Sequence, residues 1–157
     1  MSASDGWAKN LEKDRQEKDR YLSTDEKSPI PVEQRSGFGR LGYFLPNRDF
    51  VFRLVLHEHP EKTSFTVKDS KGNDRKYFRW GEFRFEICRV KCILQAYKSE
   101  PAEERLFVPF KDLTSGTETY GAGRYLDLEP GECFSDGKWT LDFNLAYNPY
   151  CAYSHRY

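Results

Sequence analysis

Residues 4–22 (SDGWAKNLEKDRQEKDRYL) place apolar groups only at Trp7, Leu11, Tyr21 and Leu22, within a dense run of charges. So narrow an apolar stripe predicts a largely solvated helix with Ser4 as its N-cap. Opposite charges stand four apart at Lys13 and Glu17, Asp14 and Lys18, and Arg15 and Asp19, a spacing that supports an exposed helix. The signs alternate and cancel, so the charged face reads as solvated rather than as a docking arm. From Ser23 to Ser36 the chain turns polar, and Pro29 and Pro31 each oppose helix at the residue before them. That stretch reads as a tether.

Beyond it the period of the pattern changes to two. Phe50, Phe52, Leu54 and Leu56 alternate with Val51, Arg53, Val55 and His57, and Phe65 and Val67 alternate with Thr66 and Lys68. Residues 69–74 (DSKGND) are turn-formers, and the strand pattern resumes over 75–80 and again at Phe83, Phe85 and Ile87. Segments 91–97, 105–110, 124–128 and 138–145 complete a set of eight or nine short strands. With a single convincing helix, this spacing predicts a mainly-β fold, an antiparallel barrel or sandwich carrying an N-terminal helical arm.

A length of 157 residues fits one mainly-β body over 37–157, preceded by the arm and tether over 1–36. Aromatic residues make up 16% of the chain, so large rings fill much of the core. Lys and Arg number 25 and Asp and Glu 25, which leaves no global field to recruit nucleic acid or an anionic membrane. No apolar run approaches the roughly 18 residues of a membrane span. The first six residues (MSASDG) lack the basic start and apolar stretch of a secretory signal, so a cytoplasmic protein is expected. In that compartment Cys88, Cys92, Cys133 and Cys151 are expected as reduced thiols, and their spacing contains no CxxC, which argues against a metal site. His57 and His59 read as a solvated strand end.

Two stretches concentrate chemistry. The first, residues 107–125 (FVPFKDLTSGTETYGAGRY), crowds hydroxyls, glycines and a cation. Glycines such as Gly121 and Gly123 let backbone amides approach an anion, Thr114, Ser115 and Tyr120 can donate to it, and Arg124 offers a planar fork. No helix pattern follows the glycines and no Lys follows Gly116 in phosphate-loop spacing, so no nucleotide cofactor is implied. The plainer reading is a glycine-punctuated connection in which Arg124 neutralises a carboxylate such as Asp127 or Asp142. The second stretch runs from Leu141 to Tyr157, and its Asp142, Asn144, Tyr147, Asn148 and Cys151 either lock an irregular segment over the sheet or converge on a ligand. A strand continued through Leu145 would turn Leu141, Phe143 and Leu145 inward and share Asp142 and Asn144 on the other face. Together the two stretches suggest a site for a small polar or anionic ligand. The alternatives are a hydrolase using Asp142, Cys151 or His155, and a structural or partner-binding domain without a ligand. Residues 75–80 mix bases with rings as single-strand nucleic-acid platforms do, but the zero net charge argues against that partner.

The blocks FVPFKDLTSGTETYGAGRYLDL (107–128) and LDFNLAYNPYCAYS (141–154) resemble an uncharacterised prokaryotic family, the domain of unknown function 1684. The run from Ser28-Pro29 through Leu41-Gly42-Tyr43-Phe44 to Pro46, and the arm with Trp7, are similar to it as well. The resemblance implies no established activity, cofactor or site. Members usually continue into a Cys-Pro-Leu-Pro-Pro segment, so the resemblance leads us to expect a copy truncated at Tyr157.

Overall fold

The computed structural model describes residues 3–69, 71–130 and 135–154. The chain divides into two compact units, Met1–Arg48 with Tyr150–Tyr157, and Asp49–Pro149.

In the first unit, helix α1 spans Ala3–Thr24 and a short helix α2 spans Val32–Arg35. The helix already runs from Ala3, which puts Ser4 inside its first turn and not at its cap. Lys13 and Glu17 do meet, at 3.9 Å. Arg15 is buried: its Nη1 donates to the Phe44 carbonyl at 2.9 Å, and its guanidinium lies over the Tyr43 ring. Asp19 accepts from the Leu41 amide and the Tyr43 hydroxyl, both at 3.1 Å. The proline-bearing stretch is packed, with Ser28 and Ile30 buried. Ser28 Oγ donates to the Leu22 carbonyl at 2.6 Å and accepts from the Ile30 amide at 3.1 Å. No helix among the described residues is long and apolar enough to cross a membrane.

The second unit holds eight described strands: β1 (Val51–Val55), β2 (His57–Glu58), β3 (Ser64–Lys68), β4 (Asp74–Ile87), β5 (Val90–Lys98), β6 (Leu106–Phe110), β7 (Arg124–Leu128) and β8 (Lys138–Asp142). β1 and β8 form a two-stranded antiparallel sheet. The others form a six-stranded sheet in the order β2-β4-β5-β6-β7, with β3 also on β4. The sheets are not closed into a barrel. Alternation explains the core. Leu106, Val108 and Phe110 of β6 and Leu126 and Leu128 of β7 face inward and pack with Phe83, Ala96 and Leu141, while Phe52 and Leu54 of β1 close over them. Burying a side chain such as Phe83 stabilises the fold by about 1.5–3 kcal/mol.

The sequence pattern divides β4 into two strands, but it is one strand with a bulge. The register passes from Arg79 opposite Tyr97 to Gly81 opposite Ala96, leaving Trp80 as the extra residue. This reverses the parity: Tyr77 and Arg79 point away from the core, whereas Phe83 and Phe85 point into it. Gly81 is required because a Cβ there would lie 2.7 Å from the His57 carbonyl oxygen of the neighbouring β2.

Candidate functional site

The connection between β6 and β7 is organised by Asp112. Its Oδ1 accepts from the Thr114 amide at 2.9 Å and from the Thr114 hydroxyl, a turn in which an aspartate imitates a backbone carbonyl. Its Oδ2 accepts from Arg124 Nη2 at 2.7 Å. The Ser115 hydroxyl accepts from the Asp112 amide at 3.1 Å, and the Thr114 and Thr119 hydroxyls bond at 2.9 Å. Burial pushes the Asp112 carboxyl up, but the two Thr114 bonds and the Arg124 charge outweigh it and hold the group below its ordinary range. The Arg124 side chain is 14% exposed and lies over the Phe110 ring.

The loop amides close the loop. The Thr114 carbonyl accepts from the amides of Thr117, Glu118 and Thr119, the Thr119 carbonyl from Gly116, and the Tyr120 carbonyl from Gly123. The glycines act in packing: Gly121 sits against Gly116, and Gly123 has a φ of +106° with its Cα side against the Phe110 carbonyl, 2.5 Å from where a Cβ would stand. Most of the loop's amides from Thr114 to Thr119, and that of Gly123, are thus turned into the loop itself.

The second stretch departs from the strand expected through Leu145. β8 ends at Asp142, whose Oδ1 accepts from the Asn144 amide at 2.9 Å and its Nδ2 at 2.7 Å, so the carboxylate caps a 3-10 turn over Phe143–Leu145. Phe143 drops into the core 5.2 Å from Phe110, and Leu145 is 49% exposed rather than inward. The chain then returns to β7: Tyr125 and Tyr147 form an antiparallel bridge, with N–H···O distances of 2.9 and 3.0 Å. Tyr147 also donates its hydroxyl to Asp127, which stands 3.7 Å from Arg105. Burial, then the Asp127 bond, pushes the Tyr147 phenol up.

The structure thus brings Thr114, Ser115 and Arg124 together around Asp112, and Tyr147 beside Tyr125. The carboxylate that meets Arg124 is Asp112 rather than Asp127 or Asp142. Tyr120 and Asn148 are partly buried, and neither is without a partner. Cys151 falls in the other unit, on a 3-10 turn at Tyr150–Ala152, and Cys133 and His155 lie outside the described residues. His59 bonds Gln95 at 2.8 Å. Among the described residues no group of three or more His, Cys, Asp or Glu could hold a metal ion. The sequence reading passes over Asp112 and Arg105, and names Asp127 only as a possible partner of Arg124, not of Tyr147. The spacing of Asp112 and Thr114 is a turn signal that could have exposed the first.

A family model described as "Protein of unknown function (DUF1684)" matches residues 36–157. A solution NMR structure of an uncharacterized protein of Haloarcula marismortui is similar at a TM-score of 0.72 and 38% identity, covering 96% of this chain and 83% of that one. No curated protein matches the chain.

Proposed function

The chain belongs to that family of unknown function, the DUF1684 proteins, and within it we propose that the Asp49–Pro149 unit is a binding module for a small polar or anionic molecule. The observation that supports this is the Tyr125–Tyr147 bridge, which joins the strand that follows the loop of Thr114, Ser115, Tyr120 and Arg124 to the segment that carries Asp142, Asn144, Tyr147 and Asn148. Arg124 carries the ligand's negative charge and the loop hydroxyls donate to it. Asp112 competes for the same guanidinium, so its ion pair is the resting state that a ligand carboxylate or phosphate displaces. The reading places the chain in the cytoplasm, in keeping with reduced thiols at Cys88 and Cys92.

Phosphate and citrate titrations of the full chain, followed by thermal melting, test the assignment. An anion should raise the melting temperature of the wild type, Asp112→Asn should bind it more tightly, and Arg124→Gln should lose the effect. If both variants merely melt lower and no anion moves any melting curve, the pair is a structural staple and the proposal fails.

A further inference from the structure

The face of the six-stranded sheet that points away from the core carries a continuous strip of aromatic rings. Phe65 lies 6.1 Å from Tyr77 and 5.5 Å from Tyr97, Tyr77 lies 5.7 Å from Phe107, Phe107 lies 4.8 Å from Tyr125, and Tyr125 lies 5.7 Å from Tyr147. The first two steps along the strip, Phe65 to Tyr77 to Phe107, are stacks with planes 30° and 27° apart, and Tyr77, Tyr97, Phe107, Tyr125 and Tyr147 are each half-buried. Phe65 is 41% exposed at the edge strand.

Beside the rings, planar polar groups are held in fixed positions. Gln95 Oε1 accepts from Arg79 Nε and bonds His59 Nε2, each at 2.8 Å, while its Nε2 donates to Glu82 at 3.0 Å. The Gln95 and Arg84 bonds keep the Glu82 carboxyl below its ordinary range, so it remains an ionised acceptor. Arg79 spends a single donor of its guanidinium on Gln95.

Three arginines on this face are neutralised locally, while Arg79 bonds Gln95. Arg75 meets Asp69 at 3.1 Å, Arg84 meets Glu82 at 2.7 Å, and Arg105 meets Glu103 at 3.1 Å. A nucleic-acid strand would gain little counterion release here and would meet a carboxylate beside each of these arginines. Rings that accept the C–H face of a pyranose, next to planar amide, carboxylate and guanidinium groups that match paired hydroxyls, suit an uncharged polyhydroxylated chain. From this we infer that the outer sheet face binds a linear neutral oligosaccharide of hexose units along the strip from Phe65 toward Tyr147. The strip meets the proposed anion site only at its Tyr125 and Tyr147 end, and its Phe65, Tyr77, Tyr97 and Gln95 belong to no part of that site.

The test is titration of the isotope-labelled full chain with cellohexaose and with maltohexaose, read by amide chemical shifts and calorimetry. At least one hexaose should bind, with shifts confined to β3–β7 around the strip. Phe65→Ala and Gln95→Ala should each weaken it about tenfold, the loss of one ring contact or hydrogen-bonding group. Lys138→Ala, on the other sheet, should leave it unchanged. Absence of binding by both hexaoses overturns the inference. So do shifts mapped elsewhere, or an oligothymidylate that binds the strip where the sugars do not.

Discussion

Tyr147 and Asp127, twenty residues apart in sequence, are joined by a hydrogen bond from phenol to carboxylate, on the same segment that pairs its backbone with Tyr125. Their bond ties the irregular chain beyond β8 to β7, where Arg105 supplies the opposite charge to Asp127. The bond acts together with the two Tyr125–Tyr147 backbone bonds and the contact between their rings.

Tyr147→Phe keeps the ring and removes the donor. Because the acceptor is charged and the phenol partly buried, the loss should be about 1–2 kcal/mol in urea unfolding at neutral pH. The variant should also change the alkaline behaviour. Burial and Asp127 raise the Tyr147 phenol above the ordinary value of 10.0, and burial and Asp19 do the same for Tyr43 in the other unit. The folded state thus holds these protons after the unfolded chain has released them. Their stabilisation is complete below the unfolded value and declines as pH rises beyond it. Unfolding curves between pH 8 and 11 should show that decline, and it should be shallower in Tyr147→Phe. An unchanged slope would remove Tyr147 from the linkage.

The physical reasons for what the sequence did and did not disclose can be seen at single residues. β7 was legible to its ends, since Leu126 and Leu128 alternate with Tyr125 and Asp127 and nothing interrupts the period. β4 was not, because the bulge at Trp80 reverses which parity faces inward, and a parity change within one strand looks like a break between two. The alternation runs three residues past the end of β8, since Phe143 and Leu145 keep the period while the Asp142 side chain captures the Asn144 amide and turns the backbone. Residue types located the loop at 112–124. They could not say that the amides of 114–119 turn into the loop or that Asp112 is a partner of Arg124, because both follow from the path of the turn. On α1, charge spacing anticipated Lys13 with Glu17 but not a buried Arg15 reaching the Phe44 carbonyl, a contact between segments 29 residues apart.

Gly123→Ala should be among the most damaging small substitutions in the β unit. The position combines a φ of +106°, which a side chain rarely adopts, with a carbonyl oxygen of Phe110 at 2.5 Å from the new methyl carbon. Neither strain can be relieved without moving β6 away from the start of β7, where Phe110 pairs with Arg124. A loss of at least ~2 kcal/mol is expected in urea unfolding. Gly72→Ala also sits at positive φ but meets no atom within 4 Å, so it separates backbone strain from the clash and should cost about 1 kcal/mol. Equal losses at the two sites would show that the Phe110 contact contributes nothing.

The hairpin between β4 and β5 offers a change in the opposite direction. Ile87 pairs with Val90, so Cys88 and Arg89 form a two-residue turn, and both have positive φ, 48° and 64°. Those angles belong to the turn whose twist matches the flanking strands, and Asn followed by Gly fills it with least strain. A side chain held in the left-handed region costs about 1–2 kcal/mol. Cys88 is exposed, so replacing its thiol forfeits no core packing. Set against the greater freedom that glycine gives the unfolded chain, the double variant Cys88→Asn with Arg89→Gly should gain about 1 kcal/mol. Its urea midpoint should rise with an unchanged slope, since the buried surface is the same. Cys88→Val, a β-branched residue in the same left-handed position, should shift the midpoint down. If the Asn-Gly variant gained nothing and Val cost nothing, the turn would not be under the strain its dihedral angles indicate.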